Sequence, residues 1–386
     1  MQSPRSAPRV AIACGGTGGH LFPGLAIAGE LLRRDVAVSL LISPKEVDQQ
    51  AVRSVHGMEV NTLPAVGLTR GGAPGFARGF FESYRQCRKL FRSNRPDAVL
   101  AMGGFTSAPP VLAGRRCGAK TFLHDSNTIP GKANRWLAHV VDAAYVYFHE
   151  TTGRLNCLRM EVTGMPVRSG FLQPADPACA RMALGLDANR PVLLITGGSQ
   201  GASGLNDLIL RIVPLLAARL PHLQYIHLTG PADLQKVQAA YASARCRAVV
   251  RPFLTEMELA LGAATAAVSR SGASSLAELA ATRVPAILVP YPHAADDHQY
   301  YNAMAFAETG AAWMSRQHPA SVDQMVEQVA QLVTDEKVHA EMQTALVRWH
   351  FPGAAETIAR KILALTGFAE LAARELPNEE LQPLPQ

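Results

Sequence analysis

The sequence predicts an α/β fold with two doubly wound, Rossmann-like domains. Short apolar runs rich in β-forming residues end in glycine-rich turns, and a helical apolar pattern follows each turn. This order begins at residues 9–13 and begins again at residues 191–196. Alternating strands and helices are typical of parallel sheets covered by helices. With 386 residues, 48% of them hydrophobic and 6% aromatic, the chain is long enough for two such domains.

The predicted elements place a domain boundary before the middle of the chain. Strands are predicted at residues 9–13, 36–42, 97–102, 121–123 and 143–147, and then at 191–196, 225–228, 248–250, 265–269 and 286–289. Glycine and prolines at 170, 174 and 177 interrupt the pattern between the two sets. We therefore expect domains at 1–168 and 169–351, with a helix near 352–368 packed back on the first domain. The proline-rich, acidic residues 375–386 are expected to be disordered.

Composition argues against several classes of protein. Residues 1–9 contain Pro and Arg and precede any apolar run, so a signal peptide is not expected. The sequence contains no run of about 18 apolar residues, the length that a transmembrane helix needs. The six cysteines form no C-x-x-C pair, which argues against a disulfide framework or a zinc site and fits a reducing cytoplasm.

The formal net charge of +6 is unevenly distributed. Residues 1–168 contain 21 Lys and Arg against 11 Asp and Glu, a net charge of +10, and the remainder carries −4. A basic half is typical of a surface that meets an anionic partner, either nucleic acid or anionic lipid. A solvated surface without a partner fits the same charge distribution.

Glycine-rich turns recur where predicted strands end, at residues 15–20, 103–107, 197–202 and 269–275. A helix N-terminus presents unpaired N–H groups and a partial positive charge, so such a turn can hold a phosphate, although close strand–helix packing also requires glycine. Open α/β sheets bind ligands at the ends of their strands, and the recurrence there favours a phosphate site. The fingerprints G-x-G-x-x-G and G-x-x-x-x-G-K-[ST] are absent, which disfavours a nicotinamide enzyme and an ATPase.

The sequence contains no D-x-D pair, so we expect no metal at a diphosphate site. Helix N-termini and arginines must then meet the diphosphate charge. Arg168 and Arg270 lie beside predicted turns, and either could instead form a surface ion pair. Glu278 can accept both hydroxyls of a ribose or stabilise a helix N-terminus. Gln299 can bind sugar hydroxyls or satisfy its own turn.

Seven motifs together carry a family resemblance. They are GGTGGHLFPGLAIA at 15–28, GGFTSAPP at 103–110, HDSNTIPGKAN at 124–134, VTGMPVR at 162–168, GGSQGASGLN at 197–206, SRSGASSLAE at 269–278 and AADDHQYYNA at 294–303. In these motifs the sequence resembles the bacterial peptidoglycan N-acetylglucosaminyltransferases that convert lipid I to lipid II. The motifs occur in the order that is usual in that family, and they cover nearly the whole chain before the tail. This lipid II-forming MurG family has the GT-B fold, with a cleft between two Rossmann-like domains.

The resemblance implies an inverting transfer of N-acetylglucosamine from UDP-GlcNAc to the 4-hydroxyl of lipid I, with no cofactor and no required metal. It implies UDP-GlcNAc, lipid I, the anionic membrane surface and other cell-wall synthesis proteins as partners, and no nucleic acid. The implied location is peripheral, on the cytoplasmic face of the inner membrane. The alternatives are another GT-B UDP-sugar transferase, a UDP-sugar epimerase, or a non-catalytic protein that binds a sugar nucleotide.

The resemblance also implies roles for individual residues. The nucleotide sugar would be contacted by Thr17, Gly18 and Gly19, and the transferred sugar by Asn127 and, through its hydroxyls, by Gln299. The diphosphate would be contacted by Arg168 and Ser199, and the uracil by Leu254. The uracil, phosphate and ribose would be surrounded by Ala273, Ser274, Ser275, Leu276, Ala277 and Glu278, and the acceptor would be contacted by Gly103, Gly104, Phe105 and Ser107. The sequence departs from the family at Asp125, Ser126 and Met165, where Glu, Gln and Asn are usual. Acceptor contacts at residues 125 and 126 are therefore not carried over.

His20 closes the first glycine turn and is the candidate catalytic base. An inverting transfer needs one group to remove the proton of the attacking hydroxyl, and imidazole exchanges protons near neutral pH. The alternative is a histidine that caps the turn or binds the phosphate of the acceptor.

One predicted helix combines an apolar stripe with basic neighbours. The stripe is Phe76, Phe80, Tyr84, Cys87 and Phe91, and the basic residues are Arg78, Arg85, Arg88, Lys89, Arg92 and Arg95. Such a helix can lie at an anionic membrane surface, or its stripe can face the protein core.

Overall fold

The computed structural model describes residues 7–16, 18–52, 56–65, 68–173, 175–198, 201–317 and 321–376. Their strands are β1 Arg9–Ala13, β2 Ala37–Ile42, β3 Glu59–Thr62, β4 Ala98–Ala101, β5 Lys120–Asp125, β6 Ala143–Val146, β7 Met160–Val162, β8 Val192–Thr196, β9 Gln224–Leu228, β10 Ala248–Arg251, β11 Ala266–Ser269, β12 Ala286–Leu288 and β13 Trp313–Met314. Their helices are α1 Gly18–Leu32, α2 Glu46–Ala51, α3 Leu68–Ser93, α4 Ala108–Arg116, α5 Lys132–Leu137, α6 Pro177–Ala183, α7 Ser203–Arg219, α8 Leu234–Ser243, α9 Met257–Ala263, α10 Ala273–Thr282, α11 His298–Glu308, α12 Val322–Thr334, α13 Glu336–Leu346, α14 Ala354–Leu365 and α15 Ala369–Ala373. The elements form two compact units: the described residues up to Ser169 with those from Phe351 onward, and the described residues of Gly170–His350.

The first unit contains a seven-stranded parallel sheet in the order β3-β2-β1-β4-β5-β6-β7. Strands β1 and β4 are buried almost throughout, as expected for parallel strands covered by helices on both faces. The strand order reverses between β1 and β4, and open α/β sheets bind ligands at this position, outside the carboxyl ends of the strands. Residues 14–16 and 102–107 follow these two strands.

The last helices of the chain complete the core of the first unit. Ile358, Ile362 and Leu363 of α14 are fully buried in the hydrophobic cluster that also contains Leu31 of α1. The buried Arg34 guanidinium joins the same two helices, because it donates to Glu30 at 2.6 Å and to Glu356 at 2.9 Å. The first unit is thus assembled from both ends of the chain.

The second unit contains a six-stranded parallel sheet in the order β10-β9-β8-β11-β12-β13. Its order reverses between β8 and β11, which lead into residues 197–198 and 270–272. One face of the sheet packs against α7 and α12 through a cluster that includes Ile209, Ile212 and Val329. The second unit therefore repeats the plan of the first.

The apolar stripe predicted at residues 76–91 lies on α3 and turns toward the core at its C-terminal end. Cys87 and Phe91 are 0% and 2% exposed and pack in the cluster that contains Leu63 and Val111. For these two side chains the stripe faces the protein core, which is the second of the two alternatives that the sequence left open. Within the described ranges, no helix is both long enough and apolar enough to cross a bilayer.

Candidate active site

The first glycine turn is packed tightly between neighbouring segments. A Cβ atom at Gly15 would lie 2.3 Å from the backbone nitrogen of Ser43, so only glycine fits there. Gly16 has a φ of 112°, a conformation that favours glycine. The Gly15 carbonyl accepts a hydrogen bond of 2.8 Å from the Thr106 hydroxyl. Gly18 and Gly19 begin α1, whereas the predicted ligand residue Thr17 lies outside the described residues.

His20 lies directly over the second glycine turn. Cβ atoms at Gly103 and Gly104 would come within 2.8 Å of His20 Cε1 and 3.2 Å of His20 Cδ2. Both glycines have positive φ angles, 110° and 76°. Only residues without a side chain leave room for this ring. The candidate base and two of the predicted acceptor-side residues are thus in contact.

The other two predicted acceptor-side residues have different environments. The Ser107 side chain is fully buried, and its Oγ accepts from the N–H of Gly103 at 3.0 Å and donates to the carbonyl of Gly103 at 2.6 Å. Ser107 therefore fixes the turn from within. The Phe105 ring lies against the first glycine turn, since it would be 3.1 Å from a Cβ atom at Gly16. The Lys45 Nζ lies 5.2 Å from the centre of the Phe105 ring.

Asp125, one of the departures from the family motif, organises the loop that carries Asn127. Its carboxylate accepts the N–H groups of Asn127 and Gly131 at 3.0 and 3.1 Å and the Asn134 amide at 2.9 Å. Burial raises the pKa of the Asp125 carboxyl to about 6, although these hydrogen bonds favour the charged form. The carboxylate is committed to its own loop, and Asn127 is half-buried beside it.

Two further groups lie close to the start of α1. The pKa of His124 is lowered to about 4, mainly by burial and in small part by the His20 charge, against a hydrogen bond to the Gly164 carbonyl that raises it. The Arg168 guanidinium lies 5.1 Å from the centre of the Phe22 ring, two residues beyond His20. The first unit therefore brings Arg168, His20 and the glycine turns together at the carboxyl ends of its strands.

In the second unit, a buried polar network holds the start of α7 beside Gly201. Asn206 Nδ2 donates to the Thr229 carbonyl at 2.9 Å and to the Asp233 carboxylate at 2.8 Å, and Asn206 Oδ1 accepts from His227 Nε2 at 3.0 Å. A Cβ atom at Gly201 would lie 2.5 Å from the same Thr229 carbonyl. The predicted diphosphate residue Ser199 lies outside the described residues.

The buried His227 makes stability dependent on pH. Burial lowers its pKa from 6.5 to about 3, so the folded chain binds fewer protons than the unfolded chain between these values. Stability therefore falls as the pH decreases from about 6.5, by about 1.4 kcal/mol per pH unit for one such proton. Two other buried groups change stability in opposite directions between pH 4 and 6, because the pKa of His124 is lowered to about 4 and that of Asp125 is raised to about 6.

We predict that His227→Gln reduces the slope of the free energy of unfolding against pH, between pH 4 and 6, by about 1.4 kcal/mol per pH unit, the slope that one proton contributes. Urea unfolding at several pH values measures this dependence, and the exposed His222→Gln is the control. An unchanged slope in the His227 variant would contradict the assignment.

The turn before α10 presents the N-terminus of a helix. The first intrahelical bond joins the Leu276 N–H to the Gly272 carbonyl at 3.0 Å, so the N–H groups of residues 273–275 precede the hydrogen-bonded ladder. In the described part of the chain, the buried Ser274 Oγ makes no hydrogen bond. The side chains of Leu276 and Ala277 are buried, which leaves only their backbone for a ligand. Glu278 lies one turn further on and is half-buried.

Gln299, at the start of α11, is joined to the α10 turn. Its Oε1 accepts the Tyr291 N–H at 3.0 Å, and its carbonyl accepts the Ser271 hydroxyl at 2.7 Å. Asn302 Nδ2 donates to the Ser271 carbonyl at 3.2 Å. Leu254, beyond β10, is half-buried, and no hydrogen bond in the described residues joins it to this group.

Arg270 is buried and bonded to protein groups. Its Nη1 donates to the carbonyls of Val289 and Pro290 at 2.9 and 3.0 Å, and its Nη2 donates to Gln317 Oε1 at 2.5 Å. Burial lowers its pKa to about 10. The guanidinium therefore holds the segment that leads from β12 to Gln299, an arrangement that the sequence did not indicate.

Family models and relatives match nearly the whole chain. The model of the glycosyltransferase family 28 N-terminal domain matches residues 10–146, and that of the C-terminal domain matches residues 192–358. Relatives from Synechococcus sp. (strain JA-2-3B'a(2-13)) and Chlorobaculum parvum are 36% and 35% identical over 93% of this chain and cover 96% and 99% of their own lengths. Both are named UDP-N-acetylglucosamine–N-acetylmuramyl-(pentapeptide) pyrophosphoryl-undecaprenol N-acetylglucosamine transferase. The chain belongs to this transferase family.

The transferase also resembles solved structures. The crystal structure of Acinetobacter baumannii MurG matches with a TM-score of 0.71 at 26% identity, over 93% of this chain and 100% of that one. The predicted GT-B class, with two Rossmann-like domains, is confirmed. A UDP-N-acetylglucosamine 2-epimerase matches with a TM-score of 0.69 at 13% identity, a likeness in fold alone.

Proposed function

We propose that this transferase moves N-acetylglucosamine from UDP-GlcNAc to the 4-hydroxyl of lipid I, undecaprenyl-pyrophosphoryl-MurNAc-pentapeptide, and so forms lipid II for peptidoglycan synthesis. The names of the relatives support the two substrates. The contact between His20 and the Gly103–Gly104 turn carries the proposal, because it joins a titratable side chain to a turn that can hold the diphosphate of the acceptor.

In the proposed reaction, the 4-hydroxyl oxygen attacks C1 of the sugar while the bond from C1 to the UDP oxygen breaks. His20 accepts the hydroxyl proton and is the catalytic residue. The charge that develops on UDP is met by the free N–H groups at the start of α10 and by Arg168 and Ser199. Gly18, Gly19 and Thr17 complete the site at the first turn.

The remaining donor contacts belong to the second unit. Glu278 accepts the ribose hydroxyls, and Ser274 and its neighbours at residues 273–277 surround the phosphate and uracil. Leu254 lies beside the uracil, and the Gln299 Nε2 donates to sugar hydroxyls, since its Oε1 already accepts from Tyr291. Asn127 contacts the transferred sugar from the loop that Asp125 organises.

A turnover assay tests the proposed function. UDP release from UDP-GlcNAc should require a lipid I analogue, and the product should contain a new β-linked N-acetylglucosamine. UDP release or sugar isomerisation without the acceptor would instead identify an epimerase. Binding of UDP-GlcNAc without turnover in the presence of acceptor would identify a non-catalytic protein.

We further propose that the basic face of α3 holds the enzyme at the cytoplasmic face of the inner membrane, where its lipid-linked acceptor lies. Arg85, Lys89 and Arg92 are exposed on this helix. Phe81 is 58% exposed, and the Arg85 guanidinium lies 5.7 Å from the centre of its ring. Exposed aromatic and basic side chains on one helix favour attraction to anionic lipid headgroups.

We predict that Lys89→Glu with Arg92→Glu weakens binding to vesicles of anionic phospholipid by about tenfold, since each basic residue near such a surface contributes about 1 kcal/mol. Added salt should weaken the binding of the unaltered protein. Cosedimentation measures the binding, and Arg190→Glu with Lys337→Glu, on the second unit, is the matched control. Equal binding by both double variants would exclude α3 as the membrane contact.

A further inference from the structure

A buried carboxylate lies beneath the first glycine turn. Asp48, on α2, is 0% exposed, and its Oδ2 accepts from the Gly16 N–H at 2.6 Å, the Ser43 N–H at 3.2 Å and the Ser43 hydroxyl at 2.5 Å. The hydrogen bond to Gly16 places the carboxylate close to the end of β1, where burial and, to a smaller extent, the Asp48 charge raise the pKa of the Cys14 thiol. A carboxylate is costly to bury, and one placed here needs the hydrogen bonds that it receives.

The segment that carries Asp48 also bonds the carbonyl group of Gly16. Lys45 Nζ donates to the Gly16 carbonyl, while Asp48 accepts from the Gly16 N–H. The preceding carbonyl, of Gly15, accepts from Thr106. Two side chains of one segment therefore fix both polar backbone groups of Gly16, four residues before His20.

We propose that Asp48 and Lys45 are positioning residues for the transfer reaction: they fix the Gly16 backbone and thereby the start of α1, which carries His20 against Gly103 and Gly104. This inference rests on the proposed function. Neither residue is assigned a contact with the reacting atoms.

The size of the effect follows from the geometry that catalysis requires. A displacement of about 1 Å at a catalytic group can lower the rate by about 10²-fold. Asp48→Ala leaves the Gly16 N–H without its acceptor, so we expect kcat to fall by about 10²-fold. The KM for UDP-GlcNAc should rise by a smaller factor than kcat falls, because of the proposed donor contacts only Thr17, Gly18 and Gly19 directly follow Gly16, and those of residues 254–299 belong to the second unit. Asp48→Asn retains an acceptor oxygen and should recover most of the rate.

The experiment combines kinetics with hydrogen exchange on the full chain. In Asp48→Ala and in Lys45→Met, peptides covering residues 14–20 should exchange at least about tenfold faster, while peptides from 192–288 remain unchanged. Lys45→Met serves if Asp48→Ala does not fold, and Lys120→Met, at an exposed lysine that begins β5 in the same unit, is its matched control. Normal kcat in a folded Asp48→Ala, or a loss of kcat without faster exchange at 14–20, would overturn the proposal.

Exchange also separates this inference from the proposed function. If the unaltered protein shows no acceptor-dependent UDP release, the proposed function fails, yet the exchange at residues 14–20 still reports whether Asp48 fixes the turn. Unchanged exchange there in both variants overturns the positioning role whatever reaction the enzyme catalyses.

Discussion

Replacing His20 with Ala should lower kcat by about 10²- to 10⁴-fold, the usual contribution of general base catalysis. The ring lies against Gly103 and Gly104, at the turn where the acceptor is proposed to bind. The KM for UDP-GlcNAc should change little, because the proposed donor contacts lie mainly in the second unit. Steady-state kinetics with a lipid I analogue measures both constants.

The matched control for His20 is His149→Ala, an exposed histidine of the same unit. Its kcat should match that of the unaltered enzyme. A loss of less than about tenfold in His20→Ala would exclude the base role.

Arg270→Met should destabilise the protein by about 3 kcal/mol and raise the KM for UDP-GlcNAc about tenfold. The guanidinium is 5% exposed and donates to two backbone carbonyls and to Gln317, and its loss leaves those carbonyls buried without donors. Arg270→Lys should recover only part of the loss, since an ammonium cannot span the same acceptors.

Urea unfolding measures the loss of stability in Arg270→Met, and steady-state kinetics at varied UDP-GlcNAc concentration measures the KM. Arg251→Met, an exposed arginine at the end of β10, should change neither. A stable Arg270→Met enzyme with unchanged KM would show that the segment from Val289 to Gln299 keeps its place without the guanidinium.

The interior strands could be predicted from the sequence, whereas three edge strands could not. β3, β7 and β13 were not predicted, and each lies at an edge of its sheet. An edge strand is covered on fewer sides, so it need not be a continuous apolar run: β3 reads EVNT and is mostly exposed. β1 and β8, at the centres of the sheets, are buried almost throughout and were recognised from their composition.

The glycine turns could be predicted, but not the residues that hold them. Glycine is a local signal, because Gly15, Gly103 and Gly104 each lack room for a side chain. Asp48 lies 32 residues from Gly16 in a short segment that resembles an exposed helix, and only the pairing of β1 with β2 brings them together. The burial of Arg270 similarly depends on β12 lying beside β11.

The contribution of α14 to the first unit has a consequence for synthesis on the ribosome. Ile358, Ile362 and Leu363 cover apolar surface that includes Leu31, yet they are translated more than 300 residues later. All residues of the second unit have been made by His350. During translation the N-terminal sheet therefore exposes an apolar face until α14 emerges, and the nascent chain is exposed to aggregation during this interval.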